Sequence, residues 1–225
     1  MVGFEISTTP PQPPPSESEA VKSTSLESLL KRRAGRMVVK SICWAAVIAE
    51  TAVIIANQTR KWTWSPQILS SLVFTNHDSP NSIRCTPLYL IGTSLVMLGG
   101  YIRYRCYKEM GKMFTFEMCI RRDHELVTSG PYSIVRHPAY TGTLCTCVGM
   151  LTWQLSPGSW VRECGALSSV LGQIAFWTYL TLVSTICSGL MLRMSKEEEA
   201  LKSKFGKAWE EWAERVRYKL VPGLY

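Results

Sequence analysis

Apolar residues are concentrated in long runs in the middle of the chain, and four of these runs predict membrane-spanning helices. The runs cover about Val38–Ala56, Pro87–Tyr104, Tyr140–Leu155 and Leu167–Leu192. Each approaches the roughly 20 residues that an α-helix needs to cross about 30 Å of hydrocarbon. The turn sequence Ser156–Ser159 separates the last two runs, so these should form a helical hairpin. The pattern predicts an all-α integral membrane protein with about four transmembrane helices.

Polar sequence at both ends divides the chain further. Residues 1–30 are rich in Pro, Ser, Thr and Glu and are predicted to be a disordered tail. Residues 31–102 should hold the N-terminal membrane helices. Residues 103–225 should form the region that carries chemistry, including the hairpin 139–192. The apolar run 68–74 is too short to span a membrane and is assigned to a loop or to the interface.

The positions of the basic residues predict the membrane topology of the chain. The net charge is +8, and the basic residues cluster beside the apolar runs. This flanking pattern favours membrane topology over nucleic-acid binding, for which no helix-turn-helix, zinc-finger or stacking pattern is present. Basic residues before the first run, and in 103–122, predict that both termini lie in the cytosol. Arg60, Lys61 and Arg84 fall on the other side.

Two kinds of polar residue in the apolar runs call for an interpretation. Glu50 lies inside the first run, where a charge is costly, so it must face a partner, a cavity or the bundle interior. The eight cysteines do not have the spacing of zinc ligands, and we interpret them as structural, with no metal site. Gly92, Gly99 and Gly100 in the second run offer close approach between helices.

The segment from His124 to Gly142 is the first that contains candidate catalytic or ligand-binding residues. The residue before a proline avoids the helical region, so His137 should end an extended stretch and Pro138 should open the third helix. A helix start offers free N–H groups that suit a carboxylate or a phosphate. Arg136, His137, Tyr132 and Tyr140 could supply further donors.

The second segment follows the fourth run. Arg193 and Glu197 are four residues apart and should share a helix face. An apolar stripe predicts that the same helix continues at the membrane interface as a C-terminal amphipathic helix. The stripe consists of Leu201, Phe205, Trp212 and Val216. The alternative is an ordinary surface ion pair and a solvated acidic run.

Together the two segments resemble a known family. The first reads Gly-Pro-Tyr-Ser…Arg-His-Pro-x-Tyr-x-Gly between Leu126 and Gly142. The second reads Arg-x-x-x-Glu-Glu-x-x-Leu-x-x-x-Phe-Gly-x-x-Trp from Arg193 to Trp209. Both motifs are similar to those of the isoprenylcysteine carboxyl methyltransferase family, in the same order and separated by a helical hairpin. The resemblance covers about residues 103–225.

The resemblance implies a membrane enzyme of the endoplasmic reticulum with a cytosolic pocket for S-adenosyl-L-methionine. It implies methyl transfer to the C-terminal carboxylate of a prenylated cysteine, with Arg193 binding this substrate and with Arg193 and Glu197 as the catalytic pair. By position, the cofactor contacts fall on His124, Glu125, Leu126, Val127, Tyr132, His137, Pro138, Ala139, Tyr140 and Glu197. Membrane lipid is the other implied partner.

Three alternatives remain open at this stage. Related membrane methyltransferases act on phospholipid or small amines, which requires a neutral amine. A non-catalytic membrane interaction protein would explain a Trp-rich tail. Membrane sterol reductases, which use a nicotinamide cofactor at a similar place, are a further analogy.

Overall fold

The chain is helical in the computed structural model, which describes residues 1–13, 33–75, 79–116 and 125–225. In these residues the α-helices are α1 (Val2–Thr8), α2 (Arg33–Gln58), α3 (Ser65–Leu72), α4 (Pro87–Met110), α5 (Pro138–Leu155), α6 (Trp160–Glu163), α7 (Val170–Phe205) and α8 (Lys207–Arg215). Short 3-10 turns lie at Ser79–Ser82, Gly111–Met113, Gly130–Ser133 and Ala166–Ser168. No β-strand occurs in the described ranges, so the predicted all-α class is confirmed there.

Two helices, α2 and α7, are long and apolar enough to cross a membrane. Only 22% and 17% of their most apolar windows are buried within the protein, so most of their apolar surface faces outward. This exposure is unlike that of a core helix in a soluble protein and supports membrane character. Glycine, threonine and tyrosine interrupt the apolar residues of α4 and α5, which lowers their mean hydropathy. The predicted count of four spans therefore stays a prediction.

The chain forms two compact units. The first unit consists of Met1–Arg32, Val96–Thr146 and Thr185–Tyr225, and the second of Arg33–Leu95 and Cys147–Ser184. The boundaries fall inside helices α4, α5 and α7. The predicted division into 1–30, 31–102 and 103–225 concerns function and stays a prediction.

In the second unit, Glu50 of α2 is buried and fully paired. Its carboxylate accepts a hydrogen bond from the Tyr89 hydroxyl at 2.8 Å and another from the Trp160 backbone N–H at 2.9 Å. The expectation that Glu50 faces a partner is thus confirmed. The predicted turn also forms, with Gly158 at φ +91° and so close to Arg84 that a Cβ would lie 2.1 Å from its carbonyl oxygen.

In the first unit, glycines let helices approach closely, as predicted. A Cβ on Gly99 would lie 2.5 Å from the Gly142 carbonyl oxygen of α5, and a Cβ on Gly100 would lie 2.4 Å from the Gly3 Cα atom of α1. Both distances exclude any larger side chain without a backbone shift.

Helix α1 corrects the prediction of a disordered tail. Residues 2–8 form a helix, and Phe4 is only 2% exposed. The Ile6 carbonyl accepts a hydrogen bond from the Tyr107 hydroxyl at 2.8 Å. The composition that favours disorder begins near Pro10, whereas the first seven residues contain apolar side chains that can be buried. Residues 14–30 lie outside the described residues.

The C-terminal region corrects a second prediction. Helix α7 ends at Phe205, and α8 is a separate helix because Gly206 has φ +52° and ψ −123°, outside the helical region. Trp212 and Val216 do not continue the stripe toward lipid. They are 4% and 6% exposed and pack with Cys106, Phe114 and Tyr132. The predicted interfacial role stays a prediction, and the apolar face that suggested it lies largely against protein.

Candidate active site

One cavity in the first unit brings together the two segments predicted to carry chemistry. It lies between the turn after α4, the segment 125–140, the charged end of α7 and helix α8. The predicted site residues that line it are Glu125, Leu126, Val127, Tyr132, His137, Ala139, Tyr140, Arg193 and Glu197. Pro138 is fully buried and does not line it, and His124 lies outside the described residues.

The start of α5 is built as the sequence predicts, with Pro138 as its first residue. The stretch before it pairs with the C-terminal segment. The Arg136 N–H donates to the Tyr218 carbonyl at 2.9 Å, and the His137 N–H donates to the Lys219 carbonyl at 2.8 Å. These bonds fix the backbone immediately before the helix and so set the direction of the His137 side chain.

The guanidinium of Arg136, a predicted donor of the cavity, is bonded largely to the protein itself. Its guanidinium donates to the Glu198 carboxylate at 2.8 Å and to the carbonyls of Ala213 and Val216 at 3.5 and 3.3 Å. Only 13% of the side chain is exposed. The sequence could not show this outcome because all three partners come from distant parts of the chain.

The two tyrosines of the segment also have protein partners. The Tyr140 hydroxyl donates to Glu197 at 2.5 Å, and the Tyr132 hydroxyl lies 2.9 Å from the Met110 sulfur. Burial, followed by the nearby Cys106 and Glu197 groups, raises the pKa of Tyr132 well above its ordinary value. Tyr132 is therefore a neutral phenol at physiological pH and contributes no charge to the cavity.

Arg193 and Glu197 share a helix face, as predicted. Their side chains approach to 3.7 Å, just beyond the apolar part of α7, which ends at Leu192. An Arg193 N–H also donates to the Phe116 carbonyl at 2.5 Å. The guanidinium is thus held in one orientation at the cavity wall, with its side chain 15% exposed. The Glu197 side chain, at 32%, is the more accessible of the two.

Glu198, the second glutamate of the motif that begins at Arg193, also lines the cavity, although no role was predicted for it. It accepts from Arg136 at 2.8 Å, from Lys219 at 3.0 Å and contacts the His137 Nε2 atom at 3.3 Å. Burial alone would raise the pKa of this carboxyl. The bonds to His137 and Lys219 and the charge of Arg136 outweigh burial and lower the pKa from 4.5 to about 2. No sequence motif includes Lys219, so only the fold reveals this cluster.

The remaining walls are largely apolar and aromatic. They consist of Met110, Met113, Phe114, Thr115, Leu201, Trp209 and Trp212. The Trp212 indole N–H donates to the Tyr132 carbonyl at 3.1 Å. The Trp209 indole nitrogen is buried and has no hydrogen-bond partner within the described part of the chain.

These groups fit the cofactor that the family resemblance implies. A partly exposed carboxylate on Glu197 suits an ammonium group, and aromatic walls suit a flat adenine ring. The peptide groups of Leu126 and Val127 form no backbone hydrogen bond to other described residues and can bond the ring edge. The cavity therefore combines a charged end with an apolar, hydrogen-bonding end, as a zwitterionic nucleoside ligand requires.

Comparison with known families agrees with this geometry. The model of the isoprenylcysteine carboxyl methyltransferase (ICMT) family matches residues 90–162. The match includes the first motif, at 126–142, and ends before the second, at 193–209.

Individual relatives extend the comparison. Protein-S-isoprenylcysteine O-methyltransferase B of Arabidopsis thaliana is 32% identical over 127 residues, which are 56% of this chain and 55% of the relative. Protein-S-isoprenylcysteine O-methyltransferase of Schizosaccharomyces pombe is 30% identical over 53% of this chain and 43% of its own length. Delta(14)-sterol reductase TM7SF2 of Mus musculus is 30% identical over 45% of this chain and 20% of its own length.

The chain spans about half the length of the first of these methyltransferases. The similarity includes residues at the start of α5 that line the cavity. Over about half of its length the chain resembles the isoprenylcysteine carboxyl methyltransferase family, and the resemblance predicted from its sequence is confirmed.

Proposed function

We propose that this protein is a membrane methyltransferase that moves a methyl group from S-adenosyl-L-methionine to the C-terminal carboxylate of a prenylated cysteine. One observation carries the proposal. A fixed arginine and an accessible glutamate lie at the end of an apolar helix and face the segment 125–140, all around one cavity. The family match and the names of the methyltransferase relatives support the same reaction.

The cofactor contacts follow from the chemistry of the walls. Glu197 would pair with the ammonium group, while Leu126 and Val127 would bond the adenine edge. Tyr140 orients Glu197 through its hydroxyl group. The sulfonium of the bound cofactor is itself an activated methyl donor, so the protein's main task is to align donor and acceptor.

Arg193 would hold the acceptor. A C-terminal carboxylate has a reference pKa of about 3.3–3.7 and is ionised at neutral pH, so no general base is required. A guanidinium binds a carboxylate through two parallel hydrogen bonds. The bond from Arg193 to the Phe116 carbonyl limits its rotation and would thereby orient the bound carboxylate.

Contacts within the first unit support four membrane spans. Arg136 precedes α5, and Glu198 follows the apolar part of α7, yet their side chains are 2.8 Å apart. Both residues must therefore lie on one side of a membrane, and the chain between them must cross it an even number of times. If α7 crosses, α5 has to cross as well.

A similar argument applies to the N-terminal half of the chain, where another contact requires an even number of membrane crossings. Ile6 and Tyr107 are joined by a 2.8 Å hydrogen bond, and the chain between them contains α2 and α4. Among the described helices between them, only α2 and α4 exceed 20 residues, so if α2 crosses a membrane we expect α4 to cross as well. Together with the basic residues at 103–122, this favours cytosolic termini and a cytosolic cavity, in keeping with residence in the endoplasmic reticulum.

A sterol reductase is the second candidate function. The mouse relative favours it, although the similarity spans only 20% of that protein. Amine methylation has no separate observation in its favour. The Trp-rich tail was the reason to consider a non-catalytic interaction protein. Trp212 of this tail is buried, so the tail no longer supports that alternative.

Product analysis tests the proposal. Membranes containing the full chain are incubated with radiolabelled S-adenosyl-L-methionine and N-acetyl-S-farnesylcysteine, and base-labile methyl is counted. We expect label, and we expect Arg193→Ala to lower turnover by roughly 10–100-fold, since a charged hydrogen bond contributes about 1.5–3 kcal/mol.

Matched variants sharpen the result. Glu197→Ala should also weaken cofactor binding, whereas Lys202→Gln removes an exposed ion pair with Glu210 and should change neither quantity beyond about twofold. Stable N-methyl products would show that the methyl acceptor is an amine and not a carboxylate. Absence of label together with nicotinamide-dependent sterol reduction would replace it by the reductase.

A further inference from the structure

Glu198 lies in the cavity wall, at the centre of a cluster of cationic groups. Arg136 and Lys219 approach its carboxylate to 2.8 and 3.0 Å, and its side chain is 14% exposed. Two fixed cations at this distance keep the carboxyl ionised. An ionised carboxylate has no hydrogen to donate and can only accept.

This restriction determines where the hydrogen lies on His137. The His137 Nε2 atom is 3.3 Å from the Glu198 carboxylate. Because the carboxylate can only accept, Nε2 must carry the hydrogen. In the neutral ring, Nδ1 is then a bare acceptor. Within the described residues Nδ1 has no hydrogen bond, and His137 lines the cavity.

The ring is held in place from a second direction. It stacks on the Tyr140 ring with centroids 5.3 Å apart and an interplanar angle of 11°. The residue as a whole is only 6% exposed. A 180° flip of the ring would preserve the stacking but would place a ring carbon where Nε2 now lies, and so would break the Glu198 contact.

We propose that Glu198 is a positioning residue that holds His137 in the Nε2–H form, so that His137 Nδ1 accepts a hydrogen bond from a donor group of the bound methyl donor. This deepens, and rests on, the proposed function. It reverses the role suggested by the sequence, in which Arg136 and His137 donate to an anion. Arg136 is occupied by Glu198, and His137 presents an acceptor.

Two measurements on the full chain in lipid nanodiscs test the proposal. The first is ring-¹⁵N histidine NMR without ligand, with the His137 signals assigned by their loss in His137→Gln. The chain has three histidines, so few signals compete. We expect a protonated Nε2 and a bare Nδ1. On addition of S-adenosylhomocysteine, which keeps the ammonium and the hydroxyls, the Nδ1 signal should shift as it accepts a hydrogen bond.

The second measurement is calorimetric binding of S-adenosylhomocysteine to Glu198→Gln. The amide can donate to Nε2, so the fixed hydrogen position is lost, and we expect the Kd to rise by about tenfold or more. Lys202→Gln removes a surface charge pair and serves as the control, with an expected change below about twofold. If Glu198→Gln does not fold, Glu198→Asp, which keeps the charge, should retain the Nε2–H form.

The outcomes separate this inference from the proposed function. A proton on Nδ1 in the wild-type chain without ligand, or an unchanged Kd in Glu198→Gln, overturns the positioning role even if methyl transfer is observed. If the wild-type chain binds no S-adenosylhomocysteine, the proposed function fails and the acceptor role of Nδ1 falls with it. The spectrum without ligand still decides whether Glu198 fixes the ring.

Discussion

At the scale of single residues, the Glu198 carboxyl predicts how stability depends on pH. Its pKa is lowered from 4.5 to about 2, so the folded state favours the ionised form. The resulting stabilisation is fully present above about pH 4.5 and is lost as the pH falls toward 2. Glu198→Gln should therefore lower the Tm at pH 7, by at least roughly 2–4 °C, the shift for 1 kcal/mol in a chain of this size.

Thermal unfolding in detergent between pH 3 and pH 7 measures this effect. The difference in Tm between the wild type and Glu198→Gln should shrink as the pH is lowered. Glu210→Gln is the control, because Glu210 is half exposed in its pair with Lys202. A deficit for Glu198→Gln that is equal at all pH values would mean that the ionised form has no special stabilisation.

The two tryptophans of the cavity should differ in how far replacement by phenylalanine lowers the free energy of unfolding. The buried Trp212 indole N–H donates to the Tyr132 carbonyl, whereas the Trp209 nitrogen has no partner in the described residues. Trp212→Phe leaves a buried carbonyl without its donor and should cost about 1–3 kcal/mol, while Trp209→Phe should cost less or stabilise. Chemical unfolding of the two variants compares them directly, and equal losses would contradict the assignment.

Side-chain contacts in the cavity were predictable only where helix spacing determined them. Arg193 and Glu197 were placed together by their four-residue separation, and the ion pair is present. Glu198 is the next residue in a run of three glutamates and is part of the second motif, but the motif does not show which residues it contacts. Its partners Arg136 and Lys219 are 62 and 21 positions away, and only the tertiary fold brings them together.

At the scale of elements, the docking of α1 depends on Gly100. A Cβ at this position would lie 2.4 Å from the Gly3 Cα atom, closer than packing allows. Gly100→Ala should displace α1 and raise amide exchange in residues 2–8 by roughly tenfold or more, because overpacking costs about 1–3 kcal/mol. Hydrogen–deuterium exchange read by mass spectrometry measures this change.

Gly35 provides the matched control for that substitution. It also lies inside a helix, and its Cβ would meet only the end of Leu182 at an ordinary 3.9 Å. Gly35→Ala should leave α1 protected and can gain some helix propensity. If α1 stays equally protected in Gly100→Ala, the close contact with Gly3 does not hold the helix in place.

The elements themselves were largely predictable, and their ends were not. The four apolar runs correspond to α2, α4, α5 and α7, since burial or lipid contact selects apolar residues throughout a helix. The end of α7 was missed because the apolar stripe continues in phase past Gly206. A stripe reports which side chains are buried, but one glycine with positive φ redirects the chain without interrupting it.

At the scale of the whole molecule, hydropathy and tertiary contacts constrain the number of spans in different ways. Hydropathy selects only α2 and α7 among the described helices, because an apolar window ignores which residues meet. The Arg136–Glu198 and Ile6–Tyr107 contacts add a parity condition that hydropathy lacks. With two spans, the segment around Ser133 would lie on the side opposite to α8. With four spans, the segment around Ser133 and helix α8 would lie on the same side of the membrane.

Cysteine labelling distinguishes these two counts. Three variants each keep one reactive cysteine: the exposed native Cys85, Ser133→Cys and Lys207→Cys, with all other cysteines replaced by alanine. In sealed microsomes whose cytosolic face is outward, a membrane-impermeant maleimide should label positions 133 and 207 at once. It should label Cys85 only after detergent is added. Labelling of 207 alone would support two spans and contradict the 2.8 Å contact between Arg136 and Glu198, since those residues could not then share one side of the membrane.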